Sequence, residues 1–167
     1  MIIGIGGISN SGKSALAEQI RQHYRDKKVM VLCQDDFAKP TADIPRINDH
    51  TDWEIPDSID FDRFYHKILD AAKKNDMVID EGLFVFYEDR LNRLYDKMIY
   101  LTISKETFLE RKRMDLRWGR EPDWYMEHIW ESHHKYFDKI QERKQAFQLS
   151  GEDPLDLEAV IRYLEKN

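Results

Sequence analysis

The stretch GISNSGKS, Gly7 to Ser14, constrains this chain more than any other. It fits the pattern G-x-x-x-x-G-K-[ST], follows the apolar run Ile2 to Ile5, and opens a segment, Ser14 to Tyr24, whose apolar residues recur at helical spacing. Glycines let the backbone curl so that successive N–H groups point inward. The helix that follows adds the positive end of its dipole, and together they make a cradle for phosphate oxygens. Gly7, Ile8, Ser9, Asn10, Ser11, Gly12, Lys13, Ser14 and Ala15 are therefore the expected ATP contacts. Lys13 is expected to reach the β and γ phosphates, and the Ser14 hydroxyl to reach Mg2+. A glycine-rich turn that binds nothing has no need of Lys and Ser after its second glycine. The overlapping Gly4-x-Gly6 could begin a dinucleotide fingerprint, but Ser9 stands where the third glycine is needed.

The rest of the chain supplies a frame for that loop. Ile2 to Ile5, Val29 to Cys33, Met77 to Asp80 and Met98 to Ile103 are short β-branched runs without clean alternation, as strands buried on both faces of a parallel sheet require. Helical spacing marks Ser14 to Tyr24, Asp60 to Lys74, Lys105 to Arg117 and Asp123 to Gln148. A weaker strand at Ala146 to Leu149, the turn SGEDP and a helix from Asp156 to Leu164 close the pattern. This order predicts a three-layer α/β fold with helices on both faces of a parallel sheet. With 167 residues and 41% hydrophobic residues, one domain over 1–167 is expected. Residues 36–58, rich in Pro, Asp and Asn from Lys39 onward, read as a substrate loop.

Composition narrows the partners. A formal net charge of -6 argues against nucleic acid and favours small molecules. Cys33 is the single cysteine, so no intrachain disulfide can form, and a reducing cytoplasm fits. No apolar run approaches the roughly 18 residues of a membrane span. A soluble cytoplasmic protein, monomer or homodimer, is expected.

Three further stretches carry chemistry. CQDDFAK places Asp35 and Asp36 where the second strand ends; successive side chains there point apart, so the two are not expected to share a role. VIDEG ends another strand in Asp80 and Glu81, one of which should lie near the metal. ERKRMDLRWGRE, residues 110–121, scatters Arg111, Lys112, Arg113, Arg117 and Arg120 around a helix. Such a run can be a solvated face. Downstream of a phosphate loop it reads as a helical lid, about 111–124, whose guanidiniums cover the γ phosphate. The guanine signature N-K-x-D is absent. His128, His133 and His134 lack the H-E-x-x-H spacing of a zinc site, and Tyr125, Trp130, Tyr136 and Phe137 are expected to pack the long helix.

In order, GISNSGKS, QDDFAKP, W-E-x-P-D-S-x-D at Trp53 to Asp60, VIDEGL, IYLTI, the arginine-rich stretch and HIW at His128 to Trp130 resemble the nicotinamide riboside kinases, with the uridine kinases as wider relatives. The resemblance runs from residue 2 to the C-terminal helix. It implies a P-loop kinase fold with a parallel five-stranded sheet, ATP as phosphate donor, Mg2+ as cofactor and transfer to the 5'-hydroxyl of a nucleoside. It also implies roles: Asp35 as base on the hydroxyl and metal-side residue, Asp36 and Phe37 on the nucleoside pocket, Trp53 and Glu54 on the base and ribose, and Glu81 with Ser14 at the metal. Arg111 and Arg117 match phosphate-binding lid positions, Arg113 a substrate contact, and Arg120 an arginine of the uridine kinase lid. Glu54 stands where the family typically has aspartate, and the lid is a few residues shorter than in its relatives. Trp53 would favour the cationic pyridinium of nicotinamide riboside over a neutral uracil. Other small-molecule kinases and a non-catalytic nucleotide-binding module are the remaining classes.

Overall fold

The computed structural model describes residues 1–117, 119–141, 146–152 and 154–166. From the N-terminus, β1 (Ile2–Gly7) leads through the phosphate loop into α1 (Lys13–His23), and β2 (Val29–Cys33) into a 3-10 turn at Gln34–Phe37. Next come a short hairpin of β3 (Arg46–Ile47) and β4 (His50–Thr51), then α2 (Phe61–Ala72), β5 (Met77–Gly82) and α3 (Asp89–Asn92). β6 (Lys97–Thr102), α4 (Lys105–Met114), α5 (Asp123–Gln141), β7 (Phe147–Ser150) and α6 (Leu157–Glu165) complete the chain.

Five strands form one parallel sheet in the order β2-β5-β1-β6-β7. This is the expected sheet. One face packs on α1 and α6 through Ile3, Ile5, Leu16, Ile20, Ile79, Val160 and Leu164; the other packs on α2, α3 and α5 through Phe64, Ile68, Phe86, Leu91, Tyr100 and Phe137. The register pairs Gly6 with Gly82 and Cys33 with Glu81, so the ends of β1, β2 and β5 emerge side by side. In open parallel sheets the crevice outside those carboxyl ends is where ligands bind.

β1 does alternate, in size rather than polarity. Ile3 and Ile5 fill the α1 face, whereas Gly4 and Gly6 lie under Phe86. A Cβ at Gly4 would stand 2.6 Å from Phe86 Cε1, and one at Gly6 2.7 Å from Cε2. The two glycines that suggested a dinucleotide site are there to admit an aromatic ring.

Three expectations need correction. α4 stops at Met114, short of Arg117, because Asp115 leaves the helix and turns its carboxylate to the Asn10 amide and the Arg117 guanidinium. The described part of 115–122 is not helical, with Gly119 at φ 87 and Pro122 just before α5, so the expected helical lid is helical only at its ends, 111–114 in α4 and 123–124 in α5. The helix expected over Asp123 to Gln148 is described to Gln141; residues 142–145 lie outside the described residues, as does position 118 of the lid, and Phe147–Ser150 is a strand. Among the described residues no helix is long and apolar enough to cross a membrane.

Candidate active site

The loop between β1 and α1 has the backbone that its sequence requires. Gly12, before the first helical residue, has φ 98, a conformation that costs glycine little; Asn10 at φ 61 is the kind of side chain that tolerates it. Ile8 anchors the loop in a small cluster with Phe108, Tyr125 and Ile129, and Ser11 is buried. Ser9 Oγ donates to Asn10 Oδ1 at 3.0 Å. No acidic residue occupies the first turn of α1, and Ser14 and Ala15 are exposed there, so no carboxylate of the helix itself competes for its first amides. Lys13 is buried and donates to the Ile8 carbonyl at 2.9 Å. Burial lowers its pKa, and Glu81 and Asp35 oppose that shift.

Glu81, rather than Asp80, faces this loop. Ser14 Oγ donates to Glu81 Oε1 at 2.9 Å. Strand alternation turns Asp80 to the opposite face, where it is fully buried, neither carboxylate oxygen has a partner among the described residues, and burial pushes its pKa well above the usual range. Asp35 stands in the 3-10 turn after β2, open to solvent yet walled by protein. That crowding raises its pKa, with Glu81 and Asp36 adding to the shift and Lys13 and Arg117 opposing it. Asp36 is exposed and its carbonyl accepts from Arg63 Nη2 at 2.6 Å. Phe37 does not line the crevice; it is buried against Phe64 with ring centroids 5.0 Å apart, because the 3-10 turn points it into the core. Between these carboxylates the Cys33 thiol is pushed up to about 12, mainly by burial.

The 36–58 segment brings Trp53, 40% exposed, and Glu54 to the same crevice. Burial pushes the Glu54 carboxyl up to about 7; Lys112 opposes, while Asp35 and Asp52 add to the rise. Lys112 had no assigned role, yet it is the buried cation of α4, on one helical face with Phe108 and Arg111. The i, i+3, i+4 spacing of these three was the available signal. Arg111 Nη1 donates to the carbonyls of Asn10 at 3.2 Å and Gly151 at 2.9 Å, tying α4 to the phosphate loop and to the end of β7. Gly151 fits against the loop, since a Cβ there would stand 2.3 Å from the Ser11 carbonyl oxygen. Nothing in the sequence alone marks it. Arg117 is chelated by Asp115 at 2.8 and 2.6 Å, and its charge reaches Asp35. Arg113 is directed elsewhere, 3.9 Å from Asp123 at the exposed α4–α5 surface, and Arg120 is exposed. Lys13, Ser14, Asp35, Glu54 and Glu81 thus converge; Phe37, Asp80 and Arg113 do not join them.

No protein-family profile matches the chain. Among curated proteins it is similar to human nicotinamide riboside kinase 1, 26% identical over 160 residues that cover 84% of this chain and 78% of the relative. It is also similar to the uridine kinase of Mycoplasma genitalium, 29% identical over 150 residues covering 74% and 70%. Among solved structures, that of a possible uridine kinase from Bacillus stearothermophilus superposes with a TM-score of 0.62 over 87% of this chain and 85% of the other, at 20% identity. With its phosphate loop, its strand order and these relatives, the chain is a homologue of the nicotinamide riboside kinases and the uridine kinases, and a kinase of the P-loop fold.

Proposed function

We propose that the protein transfers the γ phosphoryl group of ATP to the 5'-hydroxyl of a ribonucleoside, with nicotinamide riboside as the preferred acceptor and nicotinamide mononucleotide as product. The observation that carries this reading is the Ser14–Glu81 pair beside Lys13, with Asp35 across the same crevice. The chain acts as one catalytic domain over 1–167, with residues 36–58 around the nucleoside and 111–124 over the phosphates.

The loop amides of Gly7 to Ala15 and the α1 N-terminus bind the phosphates of ATP. Ser14, Glu81 and Asp35 offer hard oxygen donors of the kind Mg2+ takes, and the Ser14–Glu81 contact shows two of them already adjacent. A Mg2+ ion held by these residues would supply positive charge to offset the negative charge of the phosphates. Asp35 orients the 5'-hydroxyl and accepts its proton as ADP leaves; a carboxylate pKa raised by its surroundings suits a general base. Lys13 leaves the Ile8 carbonyl for the phosphates, and Arg111 and Arg117 stabilise the spreading charge. Positioning supplies most of the rate.

The acceptor follows from charge. Asp35 and Asp52 both lie close enough to act on Glu54, and the part-exposed Trp53 stands between Asp52 and Glu54 in the chain. A cationic pyridinium gains both the carboxylate field and about 0.5–2 kcal/mol from an indole face. Phosphorylation of uridine or cytidine is the second reading, favoured by the uridine kinase relatives. Measuring kcat/KM for nicotinamide riboside, uridine, cytidine and nicotinic acid riboside decides between them. Nicotinamide riboside should lead, and Trp53→Leu should narrow its lead; equal turnover of uridine by the unmodified protein would overturn the preference. A cytoplasmic location is the setting that fits this chemistry and the single cysteine.

A further inference from the structure

Residues 51–54, which carry Trp53 and Glu54, are held from outside the crevice by α5. Tyr125 Oη donates to the Thr51 carbonyl at 3.1 Å and accepts from the Trp53 N–H at 3.3 Å. One turn further along α5, His128 Nε2 lies 2.8 Å from Asp52 Oδ1, the same oxygen that accepts the Glu54 N–H at 3.2 Å. Ser132 Oγ, another turn on, lies 3.4 Å from that ring nitrogen. The pair is largely shielded, with His128 and Asp52 side chains 18% and 11% exposed. Tyr125 and His128 are three residues apart, so they share one face of α5 and press on the segment together. His50 joins them, its ring 5.0 Å from that of Tyr125.

The contacts have a direction. His128 holds Asp52; Asp52 holds the backbone of Glu54; Ser58 Oγ donates to the Trp53 carbonyl at 3.1 Å from the other side. None of these side chains belongs to the phosphate loop. Fixing the backbone on both sides of Trp53 fixes where its indole and the Glu54 carboxyl stand, and misplacement by about 1 Å at a binding group is costly.

We infer that His128 is a positioning residue for the acceptor side of the site: through Asp52 it sets the place of Glu54 and Trp53, and so the affinity for the nucleoside, while touching neither nucleoside nor ATP. The inference rests on the nucleoside kinase reading for its substrate. It separates His128 from a residue that merely stabilises the fold, because only the acceptor half of the site depends on the Asp52 contact.

The test uses the full chain with Mg2+ and ATP. His128→Leu should raise the KM for nicotinamide riboside about tenfold or more, the scale of a lost hydrogen bond to a charged group, while kcat and the KM for ATP move less than about twofold. His128→Gln, which keeps a donor at similar reach, should recover most of the loss, and Asp52→Asn should fall between. An unchanged nucleoside KM in His128→Leu, an equal loss on the ATP side, or no recovery by Gln would overturn the inference. If the unmodified protein phosphorylates no nucleoside, the activity reading fails by itself, and the contact is then judged by tryptic cleavage after the exposed Arg46. Cleavage there should be faster in His128→Leu, and in Asp52→Asn if the leucine variant does not fold; an unchanged rate in the folded variant sinks the role.

Discussion

At the scale of single residues, the acids of this site differ in what surrounds them, and their behaviour should differ accordingly. Asp35 is influenced by both Lys13 and Glu81, whereas Asp36 is exposed and contributes its carbonyl to Arg63. Asp35→Asn should therefore keep ATP binding but lower kcat about a hundredfold or more, the scale of lost acid–base catalysis; calorimetric ATP titration with steady-state kinetics checks both halves. Glu54 titrates near neutrality, since its carboxyl is pushed up to about 7. As pH rises from 6 to 8 it becomes a carboxylate, so the nucleoside KM should fall over that interval, and Glu54→Gln should flatten the profile. Stability runs the other way. The folded chain holds a proton at Glu54 that an unfolded chain releases near its usual value of 4.5, so this group's contribution is lost as pH rises through 7. Much of the residue-level site was legible. The loop and the acids at the strand ends announce themselves by spacing and Trp53 enters through the resemblance, whereas Lys112 left only a helical spacing as its signal and Phe37 none, because their places depend on which way a helix face and a 3-10 turn happen to point.

At the scale of elements, alternation in β5 separates two neighbours in sequence. Glu81 reaches Ser14, and Asp80 is sealed under the opposite layer beside Tyr95, whose own pKa burial and Asp80 push well up. A buried carboxyl without partners costs stability, so Asp80→Val should raise unfolding free energy by about 1–3 kcal/mol and leave kcat unchanged. The same group predicts that native stability declines as pH rises above the ordinary aspartate range, because the fold retains a proton there that the unfolded chain gives up; urea unfolding of both proteins across pH checks it. Periodicity placed strands and helices well, because buried elements impose it on the sequence. It failed at α4, where one side chain, Asp115, ends a helix that the spacing would have continued. The β3–β4 hairpin was missed for a related reason: strands of two residues are too short to show a period, and only Asn48 at φ 52 marks the turn.

At the scale of the whole molecule, the ends of β1, β2 and β5 deliver the phosphate loop, Asp35 and Glu81 to one place, while α4 and α5 bring Arg111 and the contacts to residues 51–54. The site therefore draws on elements spread along the chain and forms only when the sheet is complete. Saturating Mg2+ and ATP should raise the unfolding midpoint, by the equivalent of about 2.7 kcal/mol at a hundred times Kd, and Lys13→Ala should remove most of the shift in a thermal melt.

The phosphate loop already has cations on it. Lys13 sits on the Ile8 carbonyl, and Arg111 bridges Asn10 to Gly151. On the proposed kinase reading, nucleotide binding is an exchange for both side chains: each would give up backbone oxygen to take a phosphate oxygen, so part of the gross attraction would be cancelled in advance. The same exchange runs in reverse after transfer. On that reading, as ADP departs Lys13 would return to the Ile8 carbonyl and Arg111 to those of Asn10 and Gly151 instead of being left bare, which would lower the barrier to release and keep the empty cradle in shape for the next ATP.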